Sequence, residues 1–221
     1  MAPVVALGVA ILPPPEVTAR AVEYSAALPA LNERRSMKRE QVEGPVLRLD
    51  ADHLPHITLT QLFVRQEELD AAFARIDDVL AAQPPLRVLI TGSGHSGHTL
   101  WLAAERSPEL IDLHARLMES LRGLERPDGG PHAFFEGHGR VGDVIWVAGF
   151  RLKSSFGAYT PHITLGHGRN APAVEPFTFD ATTIAACHLG RFCTCRRVLR
   201  SWTLGRARST PNFHLPTSKI P

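Results

Sequence analysis

The pentapeptide Pro55-His56-Ile57-Thr58-Leu59 recurs as Pro161-His162-Ile163-Thr164-Leu165, 106 positions later (His56 to His162). A chain of 221 residues offers about 23,000 pairs of start positions, so an identical five-residue match is expected about 0.01 times by chance. Each copy holds one His and one Thr two residues apart. In a strand, residues i and i+2 face the same way, so each copy sets an imidazole and a hydroxyl side by side, with Ile and Leu packing behind. Two such strands facing one another line a cleft with two His and two Thr. That set suits phosphoryl chemistry without a metal. A neutral His takes a proton from an attacking oxygen and a protonated His gives one to the leaving oxygen, since imidazole holds either state near pH 6.5. The Thr hydroxyls donate hydrogen bonds to non-bridging phosphate oxygens. Two identical polar pairs on apolar strands would be costly to bury without purpose.

The elements that must position these groups follow from period and punctuation. Val4 to Ile11 reads as a buried strand. Val17, Ala21, Tyr24 and Leu28 fall at helical spacing, and Pro29 is expected to stop that helix. Asn32 to Glu40, a mixed-charge segment, reads as a solvated loop or helix face. The first motif opens a strand after Pro55, and Leu69, Phe73, Ile76 and Leu80 make a second helical stripe. Leu86 to Ile90 reads as a strand, and Gly92 to Gly97 as a hairpin into Thr99 to Ala104. Ser107 is a good N-cap with Pro108 at the first helical position, ahead of a stripe running from Leu110 to Leu124. Arg126 to Gly142, rich in Gly and Pro, reads as a long loop or insertion. Strands are expected at Val144 to Arg151, His162 to Gly166, Phe177 to Leu189 and Val198 to Leu204, and no periodicity from Arg206. Three helix stripes with many short strands favour an α+β fold over a doubly wound parallel sheet.

Composition narrows the partners. Lys and Arg number 24 against 22 Asp and Glu, a formal charge of +2, which argues against holding long nucleic acid by phosphate neutralisation. Short or end-on nucleic acid substrates remain open. No apolar run reaches the ~18 residues of a membrane span. Val4 to Leu12 lacks a preceding basic residue and is followed by Pro13, Pro14 and Pro15, unlike a secretory signal. Cys187, Cys193 and Cys195 suggest no disulfide framework, so a cytoplasmic protein is the simplest expectation.

Two H-x-T-x motifs half a chain apart resemble the 2H phosphoesterase superfamily, which includes 2′-5′ RNA ligase-like proteins and cyclic nucleotide phosphodiesterases. The resemblance extends to Leu86 to Leu124, including Thr99-Leu100-Trp101-Leu102 and Ser107-Pro108-Glu109-Leu110. It extends also to the ending Arg197-Val198-Leu199-Arg200-Ser201-Trp202-Thr203-Leu204-Gly205. It implies a bilobal α+β fold with pseudo-twofold symmetry: two antiparallel sheets face one another across a central groove, with helices packed outside. Residues 1–205 would form this single domain, with an insertion at 126–143 and an irregular tail at 206–221. It also implies hydrolysis of 2′,3′-cyclic phosphates or 2′-5′ linkages at RNA or nucleotide ends. Apart from the resemblance, the chain is expected to act as a monomer, without cofactor or metal and away from membranes. Carried over, His56 and His162 are the acid–base pair and Thr58 and Thr164 bind phosphate. Which His is base and which acid is open. Gly166 and His167 stand where an Ala-Arg pair is common, leaving Arg169, Lys153 or His167 to supply a further phosphate contact.

Other readings compete. A nucleotide- or RNA-end-binding module with little turnover would use the same groove, and another phosphodiester is a further substrate choice. His53-x-x-His56 and His95-x-x-His98 have metal-compatible spacing, but no Cys or acidic partner completes either site in sequence. His188 with Cys193 and Cys195 reads as a buried hairpin pair. Gly92 to Gly97 lacks the G-K-[ST] ending of a phosphate loop, and no G-x-S-x-G elbow occurs. The late arginines Arg191, Arg196, Arg197, Arg200, Arg206 and Arg208 read as solvated charges before RNA contacts. Tyr159, just upstream of His162, is the candidate to stack on a base in the groove, whereas Phe156 is as well suited to the core.

Overall fold

In the computed structural model, residues 3–29 and 46–205 are described. The segment Asn32 to Glu40 and the tail from Arg206 lie outside them. Among the described residues there are eight strands and four α-helices. The strands are β1 (Val4–Leu12), β2 (Ile57–Arg65), β3 (Leu86–Ser96), β4 (Thr99–Ala104), β5 (His162–His167), β6 (Phe177–Ala181), β7 (Thr183–Leu189) and β8 (Cys195–Thr203). The helices are α1 (Pro15–Ala26), α2 (Leu69–Leu80), α3 (Pro108–Leu121) and α4 (Val141–Lys153).

The strands pair antiparallel throughout, in the order β6-β3-β4-β5-β2-β1-β7-β8. The expected α+β architecture is present. Its two sheets are two four-stranded halves, β5-β4-β3-β6 and β2-β1-β7-β8, joined where β2 meets β5 at the single pair Ile57 and Ile163. Each motif strand is therefore the inner strand of its half. The repeat seen in sequence is a repeat in space.

Each element forms for a local reason. Ile57, Leu59, Ile163 and Leu165 are fully buried, and each such side chain removed from water contributes roughly 1.5–3 kcal/mol. They join the helix stripes Val17 and Ala21 of α1, Phe73, Ile76 and Leu80 of α2, and Leu110, Leu113, Leu117 and Leu121 of α3 in one core. As expected, Ser107 caps α3, its hydroxyl oxygen accepting the Leu110 N–H at 3.3 Å, with Pro108 opening the helix. Ser25, buried on α1, donates to the Leu165 carbonyl (2.5 Å) and accepts from the Leu49 N–H (2.8 Å), tying helix, motif strand and the 47–49 segment together. Among the described residues, no helix is long and apolar enough to cross a membrane.

Two expected strands differ. Val144 to Arg151 is helix α4, which buries Asp143, Val147 and Phe150 while Val141, Ile145, Trp146 and Leu152 stay exposed. Apolar residues all round the helix erase the 3.6-residue period on which a sequence reading depends. Asp143 sets its start, accepting the Arg140 backbone N–H at 2.9 Å. Phe177 to Leu189 is two strands, not one. The chain steps at Thr182 from β6, paired with β3, to β7, paired with β1 and β8, and the Thr182 carbonyl accepts the Leu204 N–H at 2.8 Å.

A second core lies on the other face of the β1–β2–β7–β8 half. Val4, Ala6, Ala10, Phe63, Ala185, Cys187 and Cys195 meet Ala133, Phe134 and Val147 there. The segment expected as a loop or insertion thus covers part of the face that carries the first motif, using short 3-10 turns at Pro131–Ala133 and Phe135–Gly137 before α4.

Candidate active site

Because Ile57, Leu59, Ile163 and Leu165 point into the core, His56, Thr58, His162 and Thr164 point to the opposite face. Both threonines and His162 are half-buried there, and His56 is 9% exposed. The two histidines are held alike. His56 donates from Nδ1 to the Leu54 carbonyl at 2.8 Å, and His162 donates from Nδ1 to the Thr160 carbonyl at 2.8 Å. A carbonyl can only accept, so Nδ1 carries the hydrogen in each ring and Nε2 is left to take or give a proton. The structure brings all four residues to one face. Burial lowers both imidazole pKa values from 6.5, partly offset by the carbonyl hydrogen bonds, and the charge of His162 lowers His56 further.

The symmetry runs past the tetrapeptide. In β2 the register against β1 passes from Thr58–Ala10 to Thr60–Val9, and in β5 the register against β4 passes from Thr164–Trp101 to Gly166–Leu100. Leu59 and Leu165 are thus equivalent bulges, and a bulge resets the alternation of faces. Gln61 and His167, the next residues turned to the face of the motif side chains, occupy matching positions. Gln61 donates to the Cys193 carbonyl at 3.4 Å, and its Oε1 has no partner among the described residues.

His167 differs from His56 and His162 in its tautomer. Its Nδ1 accepts the Leu47 N–H at 3.3 Å, so the proton sits on Nε2. Its carbonyl accepts from the Arg48 guanidinium, and the Phe192 ring stands edge-on at 4.7 Å. Burial first, then the charges of Arg140, Arg48 and His98, lower its pKa to about 4. It is a neutral donor at neutral pH. Gly166 makes this contact feasible: its φ is +135°, and a Cβ there would lie 2.4 Å from the Leu47 carbonyl oxygen. Of the other candidates for the missing arginine contact, Arg169 and Lys153 are both exposed.

Tyr159 is a correction. Expected in the groove, it is 2% exposed and stacks on His114 with centroids 3.9 Å apart. Its phenol donates to the Thr58 carbonyl at 2.8 Å, and burial pushes its pKa up. A buried phenol must find a partner, and the backbone behind the first motif supplies one. Tyr159 therefore supports the site from the core side and cannot meet a base. His114, hidden in sequence within the α3 stripe, donates from Nδ1 to the Leu59 carbonyl (2.6 Å) and accepts the Phe156 N–H at Nε2 (2.8 Å).

Trp101 was missed. It lies opposite Thr164 on β4, its ring centroid 5.3 Å from that of His162. The strict alternation of Thr99-Leu100-Trp101-Leu102 was its signal, since Leu100 and Leu102 are fully buried. Of the metal-spaced histidines, His53 pairs with Asp50 at 2.8 Å, and His95 and His98 are exposed on the hairpin. No group of three His, Cys, Asp or Glu is arranged for a metal among the described residues. Among the late arginines, Arg200 pairs with Asp77 at 2.7 Å, while Arg206 and Arg208 lie outside the described residues.

The fold is shared with solved structures. TT0787 of Thermus thermophilus is 21% identical, with a TM-score of 0.57 over 90% of this chain and 98% of its own. E. coli LigT complexed with NADP+ is 19% identical, with a TM-score of 0.58 over 92% and 99%. LigT complexed with 3′-AMP is 20% identical at 0.56, over 92% and 99%. No curated protein matches in sequence. The model of the 2′-5′ RNA ligase superfamily matches residues 25–188, a span that contains both motifs and most of the sheet. The chain belongs to the 2′-5′ RNA ligase superfamily.

Proposed function

We propose that the protein is a phosphodiesterase that opens 2′,3′-cyclic phosphates, or cleaves 2′-5′ linkages, at RNA or nucleotide ends, using two histidines and no metal. The observation that carries this reading is the pair of imidazoles, each anchored through Nδ1 to the carbonyl two residues before it. Each ring offers Nε2 beside a threonine hydroxyl. A phosphate between them meets a proton acceptor on one side and a proton donor on the other.

In the reaction, water attacks phosphorus while one imidazole Nε2 takes its proton. The P–O bond to the ribose 2′ or 3′ oxygen breaks, and the other imidazolium gives that oxygen a proton. The product is a phosphomonoester, and the two rings have exchanged protonation states. Thr58 and Thr164 donate to the non-bridging oxygens as charge builds on them. His56 is the more buried ring and lies in the field of His162, so it is the neutral base, and His162 is the acid. Environments that push two pKa values apart assign such roles. Both rings titrate below 6.5 in the free protein. The negative phosphate of a bound substrate raises them and recruits the proton that the acid needs.

Ligands named in the structures of LigT, 3′-AMP and NADP+ among them, support a nucleotide as the ligand class. The test is incubation with 2′,3′-cyclic AMP in excess EDTA, followed by phosphorus NMR. Conversion of the cyclic resonance to a monoester is expected. Tight binding by calorimetry with an unchanged spectrum would overturn hydrolysis and leave a nucleotide-binding module.

A further inference from the structure

Helix α4 carries two apolar faces, and the described residues cover only one. Val147 and Phe150 are buried, Val147 in the core with Phe63 and Phe134. Facing away, Val141, Ile145, Ala148 and Leu152 follow at intervals of four, three and four residues. That spacing draws a straight stripe along one side of a helix, the seam along which two helices pair. Val141, Ile145 and Leu152 are 72, 57 and 88% exposed, and Trp146 beside them is 49% exposed. A helix that is apolar all round is ordinarily buried all round. These four residues show together about 500 Å², near the largest apolar patch that a monomer ordinarily carries. Gly142 and Gly149 flank the stripe. A Cβ on Gly142 would meet nothing within 4 Å, and one on Gly149 only the Lys153 side chain, so another backbone can approach closely.

We infer that this stripe is a self-association face, on which α4 pairs antiparallel with α4 of a second copy across a twofold axis. The stripe is its own complement. With the axis between Ile145 and Ala148, Val141 meets the partner's Leu152 and Ile145 meets the partner's Ala148. Each contact sets a larger side chain against a smaller one, and the same patch serves both copies, as a twofold interface requires. Lys153 comes beside the partner's Arg140, whose guanidinium is already paired with Asp143. Two copies remove about 1,000 Å² from water, the area at which specific interfaces begin. A membrane surface fits less well. Anionic lipid selects a helix with a basic rim, whereas the exposed residues at the two ends of α4 include Glu136 and Lys153 alike. The protein is then a dimer, unlike the monomer expected from sequence.

The experiment is sedimentation equilibrium of the full chain over a range of concentrations. A monomer–dimer equilibrium with Kd in roughly the micromolar range is expected, because an interface this small leaves little surplus over the cost of association. Leu152→Glu and Ile145→Glu each place a carboxylate in both halves of the contact and should weaken it by at least about 100-fold. In parallel, the urea midpoint of the wild type should rise with protein concentration, and that of Leu152→Glu should not. Nitroxide labels on Lys153→Cys should lie roughly 20 Å apart in the dimer, from the helix rise, and labels on Ala148→Cys much closer. Short distances at both positions mean a parallel pair and overturn the geometry. A chain that stays monomeric at every concentration, or a dimer that Leu152→Glu and Ile145→Glu leave intact, overturns the face. So does a monomer that Leu152→Glu destabilises, since residues 30–45 or 206–221 of the same chain would then be what covers the stripe.

Discussion

His167 offers a quantitative test of how the second motif is built. Its ring is held neutral with a pKa of about 4 against 6.5 for a free imidazole. The unfolded chain therefore binds a proton between pH 6.5 and 4 that the folded chain does not. Stability that is present above pH 6.5 must be lost as the pH falls through that window. A shift of 2.5 units corresponds to about 3.4 kcal/mol, of which about 2.4 falls between pH 7 and pH 4.5. Part of the cause is the guanidinium charge of Arg140 and Arg48, both within reach of solvent, and screening reduces the share to roughly 1 kcal/mol. His167→Asn removes the titration but keeps an acceptor, Oδ1, in the place of Nδ1 for the Leu47 N–H. Urea unfolding of both proteins at pH 7 and pH 4.5 isolates the effect, because every other titrating group cancels in the double difference. The Asn variant should lose about 1 kcal/mol less than the wild type on acidification. Equal losses would refute a buried, neutral His167 that pins residues 47 and 48 across the strand.

Three further outcomes follow from named contacts. Gly166→Ala places a methyl 2.4 Å from the Leu47 carbonyl oxygen at a φ of +135°, and urea unfolding should show a loss of about 3 kcal/mol; a loss under 1 would contradict the close approach. Tyr159→Phe removes the hydrogen bond to the Thr58 carbonyl and should cost about 1 kcal/mol of stability with KM unchanged, whereas a raised KM at unchanged stability would return Tyr159 to the groove. The kcat/KM profile for 2′,3′-cyclic AMP should be a bell centred below pH 6.5, because both imidazole pKa values lie below that value in the free protein. A bell centred above pH 7 would contradict their burial.

The sequence carried the site further than it carried the fold around it. The doubled Pro-His-Ile-Thr-Leu was legible because alternation in a strand is strict and the Ile and Leu positions had to be core. The Ser107-Pro108 start of α3 and the Gly-rich hairpin were legible for equally local reasons. Helix α4 was not, since Val141, Ile145, Trp146 and Leu152 leave no polar face to mark a period. The bulges at Leu59 and Leu165 were also invisible. They are set by pairing with β1 and β4, strands distant in sequence, and they alone turn Gln61 and His167 toward the face of the motif side chains. Tyr159 was misplaced because an amphipathic ring reads equally well in a groove or over a core. Only the Thr58 carbonyl and the His114 ring decide between them. Trp101, by contrast, sat in plain alternation with two leucines and was available to the same argument that placed the motifs.

The central claim is that the two anchored imidazoles share the chemistry, and single substitutions test it most directly. His56→Ala and His162→Ala, each checked for an unchanged urea midpoint at pH 7, should each lower kcat on 2′,3′-cyclic AMP by about 10²- to 10⁴-fold, the contribution of one general acid or base. Retention of more than a tenth of wild-type kcat by either folded variant would contradict the two-histidine account.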